Sequence, residues 1–111
     1  MSNEQMEQEI IDKGLTSAPR ITLNHVKAMM ERVTFQYTCP EGTTTTLAHA
    51  FLDGKFYLVT GFAACIDPAN YDKEQGTKYA IEDTYDKALD KLYELEGYRL
   101  YRETQIQSQD L

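Results

Sequence analysis

The 111-residue chain has 41% hydrophobic and 26% charged residues, a composition typical of one small folded domain. Eighteen Asp and Glu against eleven Lys and Arg give a formal net charge of -7, which repels polyanions and disfavours nonspecific binding to a nucleic-acid polymer. No segment approaches the run of about 20 apolar residues that a membrane-spanning helix needs, so we expect no membrane association.

Residues 1–17 are polar, and only Ile10, Ile11 and Leu15 could anchor them to a core. The segment lacks the apolar stretch of a secretory signal, so we expect a cytoplasmic protein. Residues 1–17 are predicted to be a flexible N-terminal arm or a frayed helix. The single domain is predicted to cover 18–100, and the Gln-rich residues 101–111 are predicted to be a flexible C-terminal tail.

A short helix is predicted after Thr22, whose hydroxyl can cap a helix start. Leu23, Val26 and Met30 recur at steps of three and four residues, which places them on one helical face.

An alternating pattern replaces the helical one after this point and predicts three strands. Residues 33–39 alternate apolar and polar side chains, and residues 43–52 are rich in β-branched and apolar residues. Asp53 and Gly54 then form a two-residue hairpin signal, because both tolerate the positive φ that the favoured turn needs. With a third strand at 55–61, the pattern indicates an antiparallel meander.

Residues 62–76 have the composition of a turn-rich connection, and Asp72 is placed to cap a final helix. Asp83 and Lys87 form an i,i+4 charge pair on the exposed side of this helix. Gly97 is predicted to end or bend it. The apolar stripe of the helix consists of Ile81, Tyr85, Ala88, Leu89, Leu92 and Leu95. The predicted fold class is therefore α+β: a three-stranded antiparallel meander flanked by a short N-terminal helix and a long C-terminal helix.

Cysteine and histidine spacing predicts neither a metal site nor a nucleophilic one. Cys39 and Cys65 are 26 positions apart without a CxxC pair, and His25 and His49 are isolated from them. Nothing in the spacing selects a nucleophile and its base. His49 shares a predicted strand face with apolar residues, which favours a core or pocket-lining position, whereas His25 is predicted at the surface.

Carboxylates at Asp67, Asp72 and Glu74 flank the turn-rich connection. Two converging carboxylates can bind Mg²⁺ or perform acid/base chemistry, but acidic residues near a helix start are expected from capping and the helix dipole. Gly61 and Gly76 are fifteen positions apart with no GK[ST] after them, so the phosphate loop of nucleotide hydrolases is absent from the sequence. We predict no catalytic site, metal or cofactor.

Aromatic residues concentrate in the second half of the chain. Such rings pack in a core or subunit contact, or stack on a nucleobase beside a cation such as Arg99 or Arg102. Packing is favoured for any individual ring, and exposed rings near 97–102 would suit a homo-oligomer. The residues concerned are Tyr57, Phe62, Tyr71, Tyr79, Tyr85, Tyr93, Tyr98 and Tyr101.

Three segments carry a family resemblance: APRIT at 18–22, VTGFAACIDPANYDKEQG at 59–76 and LEGY at 95–98. Together they resemble a family of short tailed-phage proteins whose pattern runs from APR[VI]T through VxGxxACxDPxNxDxExG to LEGY. The sequence departs from this pattern at Phe62, Ala63 and Thr77. That family is in turn similar to the Thoeris anti-defence sponges, phage proteins that sequester cyclic ADP-ribose-type signals made by bacterial TIR enzymes.

The resemblance implies a homo-oligomer in the infected bacterial cytoplasm that binds a cyclic ADP-ribose-type or cyclic oligonucleotide signal without cleaving it. A diphosphate needs backbone N–H groups at a helix start together with cations, and a purine needs an aromatic face. These needs place the candidate site at residues 61–76. The predicted ligand-binding residues are Phe62, Asn70 and Tyr71, with Arg20, Arg99 and Arg102 as cations from elsewhere.

Three alternatives remain open at this point, one of them an enzyme that uses Asp67, Asp72 and His49. Residues 61–76 can instead be a demanding turn that only packs the helix on the sheet. The chain can also be an acidic phage protein that binds and inhibits a host protein.

Overall fold

A three-stranded antiparallel sheet forms the centre of the protein, in a computed structural model that describes residues 2–109. Its strands, in spatial and chain order, are β1 (Val33–Thr38), β2 (Thr45–Leu52) and β3 (Phe56–Ala64). The helices are α1 (Asn3–Asp12) and α2 (Leu23–Met30) before the sheet, and α3 (Lys73–Gln109) after a 3-10 turn at Pro68–Asn70. The predicted α+β class, with its meander and its short and long helices, is confirmed.

The hairpin between β2 and β3 closes through Asp53 and Gly54, whose φ values are 57° and 71°. Both values are positive, as the dipeptide predicts. β3 continues to Ala64, three residues beyond the predicted end of the strand, because Phe62 pairs with Leu47 across the sheet. Part of the expected connection is therefore strand.

α3 covers the sheet face that carries the small residues of β2. Thr46, Ala48 and Ala50 are buried, whereas His49 and its neighbours on the opposite face are only half-buried. His49 is therefore not a core residue. A helix can approach a sheet closely only where side chains are short, so the bulkier face of β2 is left uncovered.

The core lies between this small-residue face, α2 and the first half of α3. Ala88, Leu89 and Leu92 of the predicted α3 stripe are buried there, but Tyr85 of the same stripe is exposed. The buried cluster comprises Val26, Met30, Ala50, Leu58, Ala88, Leu89 and Leu92. Val26 and Met30 enter it from α2, whose predicted cap is present: Thr22 Oγ1 accepts a hydrogen bond from His25 N at 3.1 Å.

α3 runs through Gly97 without ending and extends well past the core. Its 37 residues make the molecule 63 Å long, and the radius of gyration is 18.1 Å, against about 13 Å for a compact chain of this length. Tyr98 and Tyr101 on its far part are 64% and 57% exposed. Among residues 2–109, no helix is both long and apolar enough to cross a membrane.

α1 contributes no buried residue to the core. Its start is capped by Ser2 and Gln5, which bond reciprocally to each other's backbone. Two ion pairs connect it to the body, Glu7 with Arg20 and Glu4 with Lys27.

Candidate ligand-binding site

An open cavity of about 220 Å³ lies between the end of β3 and the first two turns of α3. Apolar and polar groups both line it, including two amide side chains and two phenol rings. The lining residues used below are Cys65, Asn70, Tyr71, Asp72, Gln75 and Tyr79. Asn70 and Tyr71 are two of the six predicted site residues, so the turn-rich segment encloses a hollow as well as joining helix to sheet.

The connection that forms this hollow is held by its own hydrogen bonds. Asp67 Oδ1 accepts from Ala69 N at 2.9 Å, which caps the 3-10 turn. The hydroxyl of Thr44 donates to the carbonyl of Cys65, and Cys65 N donates to Thr44 O at 3.2 Å. These hydrogen bonds to the backbone fix the shape of the connection that forms the cavity wall.

Tyr71 forms one wall of the cavity and is half-buried. Its hydroxyl is 3.3 Å from Cys39 Sγ, and this hydrogen bond raises the pKa of the Tyr71 phenol. The backbone of Gly76 lies beside the Tyr71 ring. A Cβ on Gly76 would come within 2.8 Å of Thr46 Oγ1 and 3.6 Å of this ring. Glycine at this position therefore lets α3 approach both the sheet and the ring.

The start of α3 is already occupied by a carboxylate. Asp72 Oδ1 accepts hydrogen bonds from Glu74 N at 2.9 Å and from Gln75 N at 3.4 Å, as its predicted capping role requires. These are the N–H groups that a phosphate at a helix start would use. Because Asp72 also carries a negative charge, the helix start cannot serve as the expected diphosphate site while the cap is in place.

Phe62 lies beside the cavity rather than in it. Its ring is 55% exposed on the uncovered side of the sheet, with Lys87 Nζ 5.5 Å from the ring centroid. Its backbone N–H donates to Asp83 Oδ2 at 3.0 Å. The predicted Asp83–Lys87 pair is present at 2.9 Å, and the hydrogen bond from Lys87 lowers the pKa of Asp83.

Arg20 belongs to a different part of the molecule. Its Nη2 is 2.5 Å from Glu7 Oε1, and this pairing raises the pKa of the guanidinium. A second cavity, of about 280 Å³, separates α1 from Ile21 and Tyr93 beside this pair. This second cavity shares no lining residue with the Tyr71 cavity. Arg20 and Tyr71 therefore do not belong to one site within the chain.

Arg99 and Arg102 lie on the far part of α3. Twenty-four residues of continuous helix separate Gln75 from Arg99, a distance of about 36 Å along the axis. Arg99 is also engaged locally, with Glu96 at 3.0 Å and Glu103 at 2.7 Å, which raise the pKa of its guanidinium. Neither arginine can reach the cavity of its own chain.

Gln75 and Tyr79 line the cavity but were not among the predicted site residues. Tyr71, Gln75 and Tyr79 are spaced four positions apart, so Gln75 and Tyr79 lie on one face of the predicted helix, in line with Tyr71. This spacing could have predicted both residues as part of the site. Among residues 2–109, no group of His, Cys, Asp and Glu side chains is arranged to hold a metal ion.

The fold and the cavity together define a small α+β protein with an open polar and aromatic hollow at a strand-to-helix junction. Residues 21–104 match the model of the phage protein (N4 Gp49/phage Sf6 gene 66) family. The chain belongs to this family, which agrees with the phage resemblance in its sequence. No curated protein and no solved structure matches the chain.

Proposed function

We propose that this phage protein is a homo-oligomeric sponge that binds a cyclic ADP-ribose-type or cyclic oligonucleotide immune signal and does not cleave it. The observation that carries the proposal is the hollow between β3 and α3, which supplies a stacking ring and hydrogen-bonding amides together. The Thoeris anti-defence resemblance of the sequence supplies the ligand class.

The groups around the cavity suit a nucleobase with its ribose. Tyr79 is 52% exposed at the rim, so a base can stack on its ring, while Asn70 and Gln75 offer both donors and acceptors. The volume of about 220 Å³ lies below the range of about 300–1,000 Å³ typical of pockets that enclose a whole small molecule. The cavity therefore fits one part of a cyclic nucleotide and leaves the phosphates outside it.

The phosphates need cations that the cavity itself does not have. Among residues 2–109, no Lys or Arg lines it, and Asp72 places a carboxylate there. Arg99 is 20 residues beyond Tyr79 of the cavity, about 30 Å along the helix axis, and Arg102 is farther, so both can take part only from a second copy. This geometry supports a homo-oligomer in which the projecting end of one α3 completes the cavity of another copy.

The absence of turnover is supported by the surroundings of the potential catalytic groups. His25 is bonded to Glu96, and His49 is bonded to Thr38 and Thr60 on the uncovered sheet face. Neither histidine lines the cavity with Cys65. A nucleophile needs a base within hydrogen-bond reach, so these positions favour binding over catalysis.

Calorimetric titration with cyclic ADP-ribose isomers and cyclic oligonucleotides tests the proposal. We expect heat with at least one of them, recovery of the intact ligand after heat denaturation, and about a tenfold or greater loss of affinity in Tyr79→Ala. Phe56→Ala is the matched control, because Phe56 is a similarly exposed ring, at 58%, remote from the cavity. The absence of binding heat with every compound, or recovery of a chemically altered ligand, would contradict the proposal.

The alternative function is that of an acidic interaction module that inhibits a host protein. The net charge of -7 and the exposed Tyr98 and Tyr101 at the projecting end of α3 favour it. Affinity capture of one stoichiometric host partner, released as salt is raised, would support this function. In that case Tyr79→Ala would leave capture unchanged and Tyr101→Ala would weaken it.

A further inference from the structure

The side of the sheet that faces away from α3 is an uncovered platform, which we call the open sheet face. Strand register and the alternation of side chains arrange it as three rows that cross the strands. The rows are Thr34, Phe51 and Tyr57; Gln36, His49 and Thr60; and Thr38, Leu47 and Phe62.

A hydrogen-bond network holds the middle of this face. Thr38 Oγ1 is 3.1 Å from His49 Nε2, and His49 Nδ1 is 2.9 Å from Thr60 Oγ1. Tyr57 OH is 2.8 Å from the same Thr60 oxygen, and the Tyr57 ring meets Phe51 edge-on with centroids 5.8 Å apart. Five of the nine side chains of the open sheet face are therefore held by contacts with one another, which pre-organises this part of the surface for contact.

The composition of this face is unusual for one that meets water. The outward side of a sheet normally carries polar and charged residues. Here the two end rows each carry two large apolar side chains, and Tyr57 and Phe62 are 53% and 55% exposed. None of the nine residues is Asp, Glu, Lys or Arg, although these types make up 26% of the chain.

We propose that the open sheet face is a contact between two copies of this chain, packed face to face about a two-fold axis. The lack of charged side chains makes this the face on which two copies repel each other least. Two identical chains, each with a net charge of -7, repel one another wherever acidic surfaces meet, and the repulsion is least across a face without carboxylates. Lys87 of α3 lies beside the Phe62 ring at the β3 edge, and its positive charge is balanced by its ion pair with Asp83.

The row pattern is also self-complementary. In face-to-face packing the two-fold axis lies in the contact plane, either along the strands or across them. An axis along the strands brings each row onto its own copy, and an axis across them brings the Phe51 row onto the Leu47 row. Because the order is apolar, polar, apolar, both axes place apolar rows on apolar rows and the His49 row on itself.

The size of the face sets the strength of the contact. Three strands about 4.8 Å apart, with about six residues at about 3.4 Å each, cover on the order of 300–400 Å² per copy. This is below the roughly 800 Å² per partner of a standard stable interface. We therefore expect a dimer that forms and dissociates with concentration. α3 lies on the other side of the sheet, so the contact does not depend on ligand binding.

Sedimentation equilibrium of the full chain, from about 1 µM to about 1 mM, tests the proposal. We expect a monomer–dimer equilibrium that salt strengthens, because screening removes the repulsion between the acidic bodies. Tyr57→Glu places like charges across the contact and is expected to weaken dimerisation by about 100-fold or more. Phe56→Glu, the adjacent residue with a similar exposure of 58% on the other side of the strand, is expected to leave it unchanged.

A chain that stays monomeric, or a dimer that Tyr57→Glu leaves intact, would overturn the proposal, as would equal effects of the two variants. NMR of the unaltered chain gives a second measurement that does not depend on a variant folding. The signals of Leu47, Phe51 and Tyr57 should shift on dilution while those of Phe56 do not. Titration of Tyr57→Glu with the cyclic ADP-ribose isomers and cyclic oligonucleotides separates the two proposals. Loss of the dimer leaves the Tyr79 cavity in place, so this variant should bind as the unaltered chain does.

Discussion

Gly61 lies directly beneath Thr84, where α3 packs against the sheet. A Cβ at position 61 would clash with the Thr84 side chain, lie 2.9 Å from Thr84 N and lie 2.7 Å from Asp83 Oδ2. Thr84 is itself fixed, because its hydroxyl donates to Ala80 O at 2.6 Å within the helix and is 3.2 Å from Ala48 O across to the sheet. This contact sets the spacing between helix and sheet at Gly61.

Gly61→Ala is accordingly expected to lower the free energy of unfolding by about 1–3 kcal/mol, the cost of overfilling a packed contact. The obstructing atoms include helix backbone, which cannot rotate away as a side-chain end can. Urea denaturation followed by circular dichroism measures the change. Unaltered stability would mean that α3 can shift away from the sheet freely.

Gly97→Ala is expected to have the opposite sign. Gly97 is inside the continuous α3, and an added Cβ there meets no atom within 4 Å. Alanine should stabilise the helix by about 0.5–1 kcal/mol, because glycine loses more backbone entropy on folding. Thermal unfolding and amide exchange at residues 98–106 measure this effect. A destabilised Gly97→Ala chain would indicate that α3 is broken or bent at this position.

The docking of α1 is expected to depend on pH and salt. The hydrogen bond from Arg20 lowers the pKa of Glu7, and Leu23 N also donates to Glu7 Oε2 at 2.9 Å. A carboxyl with a lowered pKa stabilises the folded state above its usual pKa, about 4.3, and this stabilisation is lost as the pH falls through the lower folded value. Below that pH, amide exchange in α1 should rise before the sheet unfolds.

Glu7→Gln should release α1 in the same way at neutral pH. The matched control is Glu9→Gln, which removes the Glu9–Lys13 pair inside α1 and no contact to the body. If amide exchange in α1 is equally slow in both variants, the Glu7–Arg20 pair does not hold the helix.

Two substitutions at Asp72 separate its capping role from its charge. Asp72→Ala removes the bonds to Glu74 N and Gln75 N and is expected to cost about 0.5–2 kcal/mol of stability. Asp72→Asn keeps a good cap, so stability should change little. If the cavity takes a phosphate-bearing ligand, Asp72→Asn should bind it more tightly, because a carboxylate beside the cavity is gone. Calorimetry that shows weaker binding in Asp72→Asn would contradict this electrostatic argument.

Local signals accounted for most of the element order. The cap at Thr22, the Asp53-Gly54 turn and the cap at Asp72 act through neighbours in the chain, and all three are present. Gly97 shows the limit of such signals, since a continuous helix tolerates one glycine at a small cost, and α3 passes through it. The sequence placed Asn70 and Tyr71 at the cavity for the same local reason, because the turn and the helix start are both encoded there.

The amino-acid sequence by itself determined the α+β class, the meander and the phage family resemblance, because these depend on periodicity, turn residues and motif spacing. Only the tertiary structure decided which side of β2 is buried and that Arg20, Arg99 and Arg102 lie far from Tyr71. The physical reason is that close packing of α3 selected Ala48, Ala50 and Gly61 over the larger residues of the other face. A rigid helix then fixed the distance between the cavity and the arginines, and no local pattern reports that distance.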